Sequence, residues 1–288
     1  MTSSTRLGVR KTYKLYIGGA FPRSESGRTY RIDGADGGFL ANAARASRKD
    51  VRDAVASARK AFGGWSSRTA YNRGQILYRV AELMEGRRDQ FVEEVAAGTG
   101  VTKAKAAAEV DAAIDRWVWY AGWTDKLAQV EGASNPVAGP YFNFSVPEPT
   151  GVVAAIAPAV PSLLGLVSVV APVLATGSTV VVVASEPHPL PAVTLTEVLA
   201  TSDVPGGVVN VLTGHMGELA PVLAAHRDVD AIDLGGVAGD TTAYEEVAAE
   251  NVKRVLRPED ATDWFARPGL TRMRAFLETK TVWHPAGL

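Results

Sequence analysis

The sequence predicts an α/β fold: a parallel sheet with flanking helices, preceded by a helical N-terminal segment. Two observations carry this. Residues 151–186 set out strand, turn, helix and strand, nearly all apolar. Val152, Val153 and Ile156 form a short apolar run ending at Pro158, the pattern of a strand buried on both faces. Residues 163–175 are hydrophobic almost all round, as in a buried helix, and Gly177 is placed to end it. Thr179–Val183 is a β-branched run and hence a second strand. The second observation is the alternation that follows. Helix patterns at 190–201, 218–225 and 242–250 interleave with strand patterns at 208–212, 231–234 and 252–256. Such a rhythm implies parallel strands joined by crossover helices.

Upstream, residues 1–46 are polar and glycine-rich, and read as irregular apart from a strand at 13–19 and a loop at 34–38. Ser47 with Asp50 three residues on resembles a capping box for a helix to Phe62, with Val51, Val55, Ala58 and Phe62 on one face. A second helix is expected over 69–85, with Ile76, Leu77, Val80, Leu83 and Met84 inward, and a third over 87–97. A long fourth helix over 102–129 follows from Val110, Ile114, Trp117, Val118 and Ala121 at helical spacing. Trp117 and Tyr120 share a face of it, and Trp119 points elsewhere. Residues 130–140 read as a linker, 141–148 as a half-buried strand, and 257–270 as a polar connector.

Composition removes several function classes. The 288 residues are 47% hydrophobic and 21% charged with a formal net charge of −1, ordinary for a globular chain and no footprint for nucleic acid. The apolar stretch 152–183 is broken by Pro158, Pro161 and Pro172, so no membrane span is expected. Residues 1–6 lack an apolar signal region, and a cytoplasmic location is expected. The cysteine count is zero, which excludes disulfides and thiolate metal centres. His188, His215, His226 and His284 are scattered without ligand spacing, so no metal site is expected. The arginines at 68, 73, 79, 87 and 88 alternate with acids and read as a solvated helix surface.

The frame Pro158-Ala159-Val160-Pro161-Ser162, then Ala171-Pro172-Val173-Leu174-Ala175-Thr176-Gly177-Ser178, then Thr179 to Glu186, resembles the aldehyde dehydrogenase superfamily. The resemblance continues at Tyr16-Ile17-Gly18-Gly19, over 48–62, at Pro205-Gly206-Gly207-Val208-Val209-Asn210, at Asp228-Val229-Asp230, and at Asn251-Val252-Lys253-Arg254-Val255. There it stops, resuming at residues 276–283. It is strongest with the non-catalytic second half of two-domain, family-16-type members. The resemblance implies a Rossmann-like, dinucleotide-binding-like domain over 1–140 and 151–268, a bridging flap over 141–150 and 269–288, and an absent catalytic domain. It also implies that the family's oxyanion-binding Asn is replaced by Val160, its ribose-contacting Lys by Val183, and its loop Ser by Val237. With no cysteine, the thiolate that attacks the aldehyde is missing as well.

What remains of a cofactor site is Glu186, Gly235 and Gly236. By resemblance Glu186 would accept hydrogen bonds from the ribose of NAD; with Val183 beside it, a turn glutamate is the favoured reading. Gly235, Gly236 and Gly239 could admit a pyrophosphate or simply make a strand-to-helix turn, and the turn is favoured. No catalytic residue is expected. The retained flap strands, 141–148 and 276–283, imply a partner: an intact aldehyde dehydrogenase subunit or a second copy of this chain. The expected function is a catalytically inactive subunit with a structural or regulatory role. The alternative is an NAD(P)-dependent oxidoreductase component that takes its nucleophile from a partner.

Overall fold

In the computed structural model, which describes residues 11–259 and 262–287, the chain opens with a hairpin of β1 (Thr29–Asp33) and β2 (Phe39–Ala44). Helices α1 (Arg48–Ser66), α2 (Ala70–Glu85), α3 (Arg88–Thr99), α4 (Lys103–Ala121) and α5 (Leu127–Glu131) follow, then β3 (Ala133–Asn135) and β4 (Tyr141–Pro149). The alternating region is β5 (Val152–Ile156), α6 (Ser162–Thr176), β6 (Thr179–Val183), α7 (Leu190–Leu199), β7 (Val209–Leu212), α8 (Met216–Ala225), β8 (Ala231–Asp233), α9 (Thr242–Ala249) and β9 (Arg254–Leu256). The chain ends with α10 (Thr271–Ala275) and β10 (Leu277–Pro285).

Five parallel strands form the central sheet in the order β7-β6-β5-β8-β9. Each strand of the β5–β6 pair is buried on both faces, so its alternate residues feed separate layers. Val153, Ala155, Val180 and Val182 pack with α2, α4 and α6. Val152, Ala154, Val181 and Val183 pack with α1 and α8. The sheet grows outward from β5 through α6 and α7, then α8 carries the chain back to place β8 on the other side of β5. This is the Rossmann-like arrangement the sequence implied. Helix α6 is buried along its whole length and ends at Gly177, whose φ of 95° only glycine adopts without strain.

Local signals account for the helices. Ser47 and Asp50 form the expected capping box, and α1 runs one turn past Phe62 because Trp65 finds a buried slot, its indole N–H donating to Leu174 O at 3.2 Å. The expected long fourth helix is two. Gly122 ends α4, and the chain there packs so closely on α2 that a Cβ at Gly74 would lie 2.6 Å from Thr124 Oγ1. Trp117 and Tyr120 are buried and Trp119 is half-buried, as the spacing implied.

Other expectations need correction. Residues 13–19 form no strand; Tyr16 alone pairs with the open edge of β7, through hydrogen bonds with Val211 of 3.0 and 2.8 Å. The region read as irregular contains the β1–β2 hairpin. Its alternation is weak, though Tyr30 and Ile32 before a glycine-rich turn and Phe39 and Leu40 after it were a usable signal; in the hairpin Tyr30 faces Ala43 and Ile32 faces Ala41. The 130–140 linker contains β3, and just past the connector α10 puts Met273 into the core with Phe276. In β4 it is Asn143 that is buried, while Phe142 and Phe144 are exposed. A polar ladder explains the inversion: Asn135 Nδ2 donates to Asn143 Oδ1 and Ser145 Oγ, and Ser145 shares a hydrogen bond with Thr281.

The small antiparallel sheet has the order β10-β4-β3, with Leu277 facing Pro149 and Pro285 facing Tyr141. Arg254 ties it to the main sheet with two bonds to Glu278, of 2.5 and 2.6 Å. Among the described residues no helix is long and apolar enough to cross a membrane.

Candidate functional site

The strand order reverses between β5 and β8, and open parallel sheets bind ligands in the crevice outside the carboxyl ends of strands at such a point. A cleft of ≈ 730 Å³ lies along this edge, with Ile156, Ala157, Glu186, His215 and Gly236 on the sheet side and Tyr30 of the hairpin opposite. What such a cleft can hold depends on its donors, and the strongest donors in this fold are the free N–H groups at helix N-termini.

Three of those termini already carry a carboxylate of the chain itself. Glu109 of α4 is 6% exposed and accepts from Leu163 N at 2.8 Å and Leu164 N at 3.4 Å, in the first turn of α6. Burial pushes its carboxyl up, and the two backbone bonds draw it partly back. Glu186 sits at the start of α8: Oε2 accepts from Met216 N at 2.9 Å, and Oε1 lies 2.7 Å from His215 Nδ1. Its partial burial raises the carboxyl, but the His215 and Met216 bonds outweigh that and hold it below the usual range. An ionised Glu186 makes Nδ1 the protonated ring nitrogen of His215. The Tyr30 hydroxyl donates to the Glu186 carbonyl at 3.2 Å, and its ring packs 5.5 Å from that of His215. At α9, Asp240 accepts from Thr242 N at 2.9 Å and Thr242 Oγ1 at 2.6 Å, and these bonds lower its carboxyl.

The glycines lie in the turn after β8, as favoured from sequence. Gly235 N donates to Asp233 Oδ1 at 2.8 Å, and Val237 N to Leu234 O at 2.8 Å. Both face protein. A Cβ at Gly236 would fall 2.3 Å from Ala157 C and 2.4 Å from Ile156 O, and one at Gly235 would fall 2.5 Å from Arg272 Nη2. Gly236 therefore lets the turn press on the end of β5. Val183 and Val237 are packed in the apolar layer against α8, and Val160 stands 57% exposed with nothing to donate.

The structure thus brings Glu186 and Gly236 to one cleft and puts Gly235 on its far side, beneath Arg272. Sequence reading missed Glu109 and Asp240. Asp240, two residues before Thr242 at a helix start, is a legible capping signal. Glu109 lies 54 residues from Leu163, and no local pattern announces that meeting. Among the described residues no group of three or more His, Asp or Glu is placed to hold a metal ion.

Comparison with known proteins agrees with the architecture. A family model described as the aldehyde dehydrogenase family matches residues 21–257. Over 263 residues the chain is 34% identical to cytosolic 10-formyltetrahydrofolate dehydrogenase of Mus musculus, an alignment covering 87% of this chain and 28% of that protein. It is 31% identical over 259 residues to cytosolic aldehyde dehydrogenase 1 of Elephantulus edwardii, covering 87% and 50%. Among solved structures, the NAD+ complex of aldehyde dehydrogenase from Bacillus cereus superposes with a TM-score of 0.79 at 29% identity, covering 85% of this chain and 50% of that one. An NAD-dependent aldehyde dehydrogenase from Sinorhizobium meliloti gives 0.79 at 28% identity, covering 88% and 51%. The chain spans half or less of the length of these relatives, or close to it.

Proposed function

The chain belongs to the aldehyde dehydrogenase family, and from that premise we propose that it is a catalytically silent member with a structural or regulatory role in an oligomer. One observation carries the reading: the starts of α6, α8 and α9 each carry a carboxylate of the chain, Glu109 on Leu163 N and Leu164 N, Glu186 on Met216 N and Asp240 on Thr242 N, and Glu186 lines the cleft itself. A dinucleotide would bring its pyrophosphate toward negative charge rather than toward free donors, and Val183 supplies no cation to offset it. Such a lining matches the pyrophosphate of NAD poorly. The absence of cysteine from the 288 residues agrees, since a serine or threonine hydroxyl attacks a carbonyl only with a base beside it.

The flap supports the assembly role. Among the described residues, strand β10 pairs with β4 on one side and its other edge carries no strand. Tyr141 and Trp283 stand exposed on one face of the flap, Phe142 and Phe144 on the other. Open edges and exposed aromatics are features that soluble chains usually cover. The partner is an intact aldehyde dehydrogenase subunit or a second copy of this chain.

Calorimetric titration with NAD and NADP, together with light scattering of the chain alone and mixed with an intact family member, tests both halves. Silence toward both nucleotides is expected, with an oligomer that Phe142→Glu with Trp283→Glu dissociates. Micromolar nucleotide affinity or aldehyde turnover overturns the silent reading; a monomer in every mixture overturns the assembly role.

A further inference from the structure

The overall net charge of −1 conceals a strong asymmetry along the chain. Residues 1–52 hold eleven Lys and Arg against four Asp and Glu, while residues 53–288 hold nineteen against twenty-seven. The fold gathers the described part of this basic excess onto one surface. Two depressions there, of ≈ 640 and ≈ 310 Å³, share Arg28 in their walls. Arg45, Arg48, Lys49 and Arg52, at and just before the start of α1, line the larger. Lys11, Lys14 and Arg23, on the segment leading into the hairpin, line the smaller.

Local acids offset only part of this charge. Lys11 pairs with Glu197 at 2.8 Å, Lys49 with Asp53 at 3.5 Å, and Arg45 with Glu218. Glu25 accepts from Ser47 Oγ at 2.9 Å, and Asp50 is buried beneath, where it accepts from Ser24 Oγ and Ser47 N. Eight cations thus meet five acids. The side chains of Lys14, Arg23, Arg28, Arg48 and Arg52 make no hydrogen bond or ion pair among the described residues, and the four arginines are exposed. Residues 1–10 add Arg6 and Arg10 and no acid. The one acidic side chain outside the described residues is Asp260, next to Glu259, which lines neither depression.

We propose that this surface docks an acidic segment of a partner protein, one rich in Asp and Glu. Arg23, Arg28, Arg48 and Arg52 present planar forks that match a carboxylate two oxygens at a time. The excess is local, which selects the partner. A nucleic-acid strand or an anionic bilayer is acidic throughout and would also meet the acid-rich remainder of the chain, whereas a short acidic segment meets the cations alone. Neither depression exposes a large apolar side chain on which a base could stack or that an acyl layer could take up. No residue of β3, β4 or β10 lines either wall, so this interface is separate from the flap and does not rest on it.

The full chain is titrated separately with a labelled deca-glutamate peptide, a labelled thymidine decanucleotide, and vesicles of phosphatidylcholine with phosphatidylserine, following anisotropy or co-sedimentation. Saturable binding of the peptide is expected, with Kd below about 100 μM at about 50 mM sodium chloride and weakening as salt rises. Arg48→Glu with Arg52→Glu should weaken it about tenfold or more, since two attractions become repulsions. Glutamate suits exposed positions near a helix N-terminus, so this variant should keep its fold, which a melting curve checks. Lys60→Glu with Lys105→Glu makes the same change in net charge at exposed positions outside both depressions, and should bind within about twofold of the parent. A peptide Kd above that limit, a folded Arg48→Glu, Arg52→Glu protein that loses no more than the Lys60→Glu, Lys105→Glu control, or tighter binding of the decanucleotide or the vesicles than of the peptide overturns the proposal.

Discussion

Replacing Glu109 tests the self-capping argument at its most buried point. Glu109→Ala leaves Leu163 N–H, and the more weakly bonded Leu164 N–H, without an acceptor in a helix turn that is fully buried. An unsatisfied buried donor costs about 1–3 kcal/mol, and the removed methylenes add to the loss. Against this, a buried carboxyl no longer has to be accommodated. The net expectation is about 2–3 kcal/mol of destabilisation, or about 4–10 °C in Tm at this chain length. Glu109→Gln keeps an oxygen on the same N–H groups and should lose about 1 kcal/mol or less. Urea unfolding followed by fluorescence measures both, because Trp65 and Trp117 are buried in the layer that includes α6. An alanine variant as stable as the parent would refute the claim that Glu109 caps α6, and with it the main argument against a dinucleotide.

The pH profile gives a second prediction. Burial raises Glu94, Glu109 and Asp233, so the stability they contribute is full below their ordinary values and is lost as pH rises through the folded ones. Glu186, Glu197 and Glu278 are lowered by their partners and act oppositely, losing stability as pH falls through the folded values. Melting curves should therefore show a maximum on the weakly acidic side of neutrality, and Glu94→Gln with Glu109→Gln should flatten its alkaline slope; a curve unchanged by the pair contradicts the assignment. Gly236→Ala, whose new Cβ meets backbone at 2.3 Å, should destabilise by about 1–3 kcal/mol in the same urea assay, and a neutral result would mean the turn is free to move away from β5. Ser47→Ala removes one half of the α1 capping box and should cost about 1 kcal/mol, measured likewise.

Residues 151–186 were legible because their order is local. A strand buried on both faces, a helix apolar all round and a glycine stop each follow from short-range pattern, and they forced the parallel sheet. The α1 capping box and the buried pair Trp117 and Tyr120 were legible for the same reason. The β1–β2 hairpin, the break at Gly122 and the covered polar face of β4 were not read, since each depends on what another segment presents to it.

The sequence by itself determined the absence of thiol and of donors at Val160 and Val183, because residue identity settles which chemistry a side chain can perform. Only tertiary structure decided that Glu109 crosses from α4 to cap α6, that Glu186 turns to His215 and Met216, and that Arg116 reaches from α4 to the carbonyls of Trp264 and Ala266. Those meetings join segments far apart in the chain, and hydrogen-bond and charge compensation are properties of distance in space.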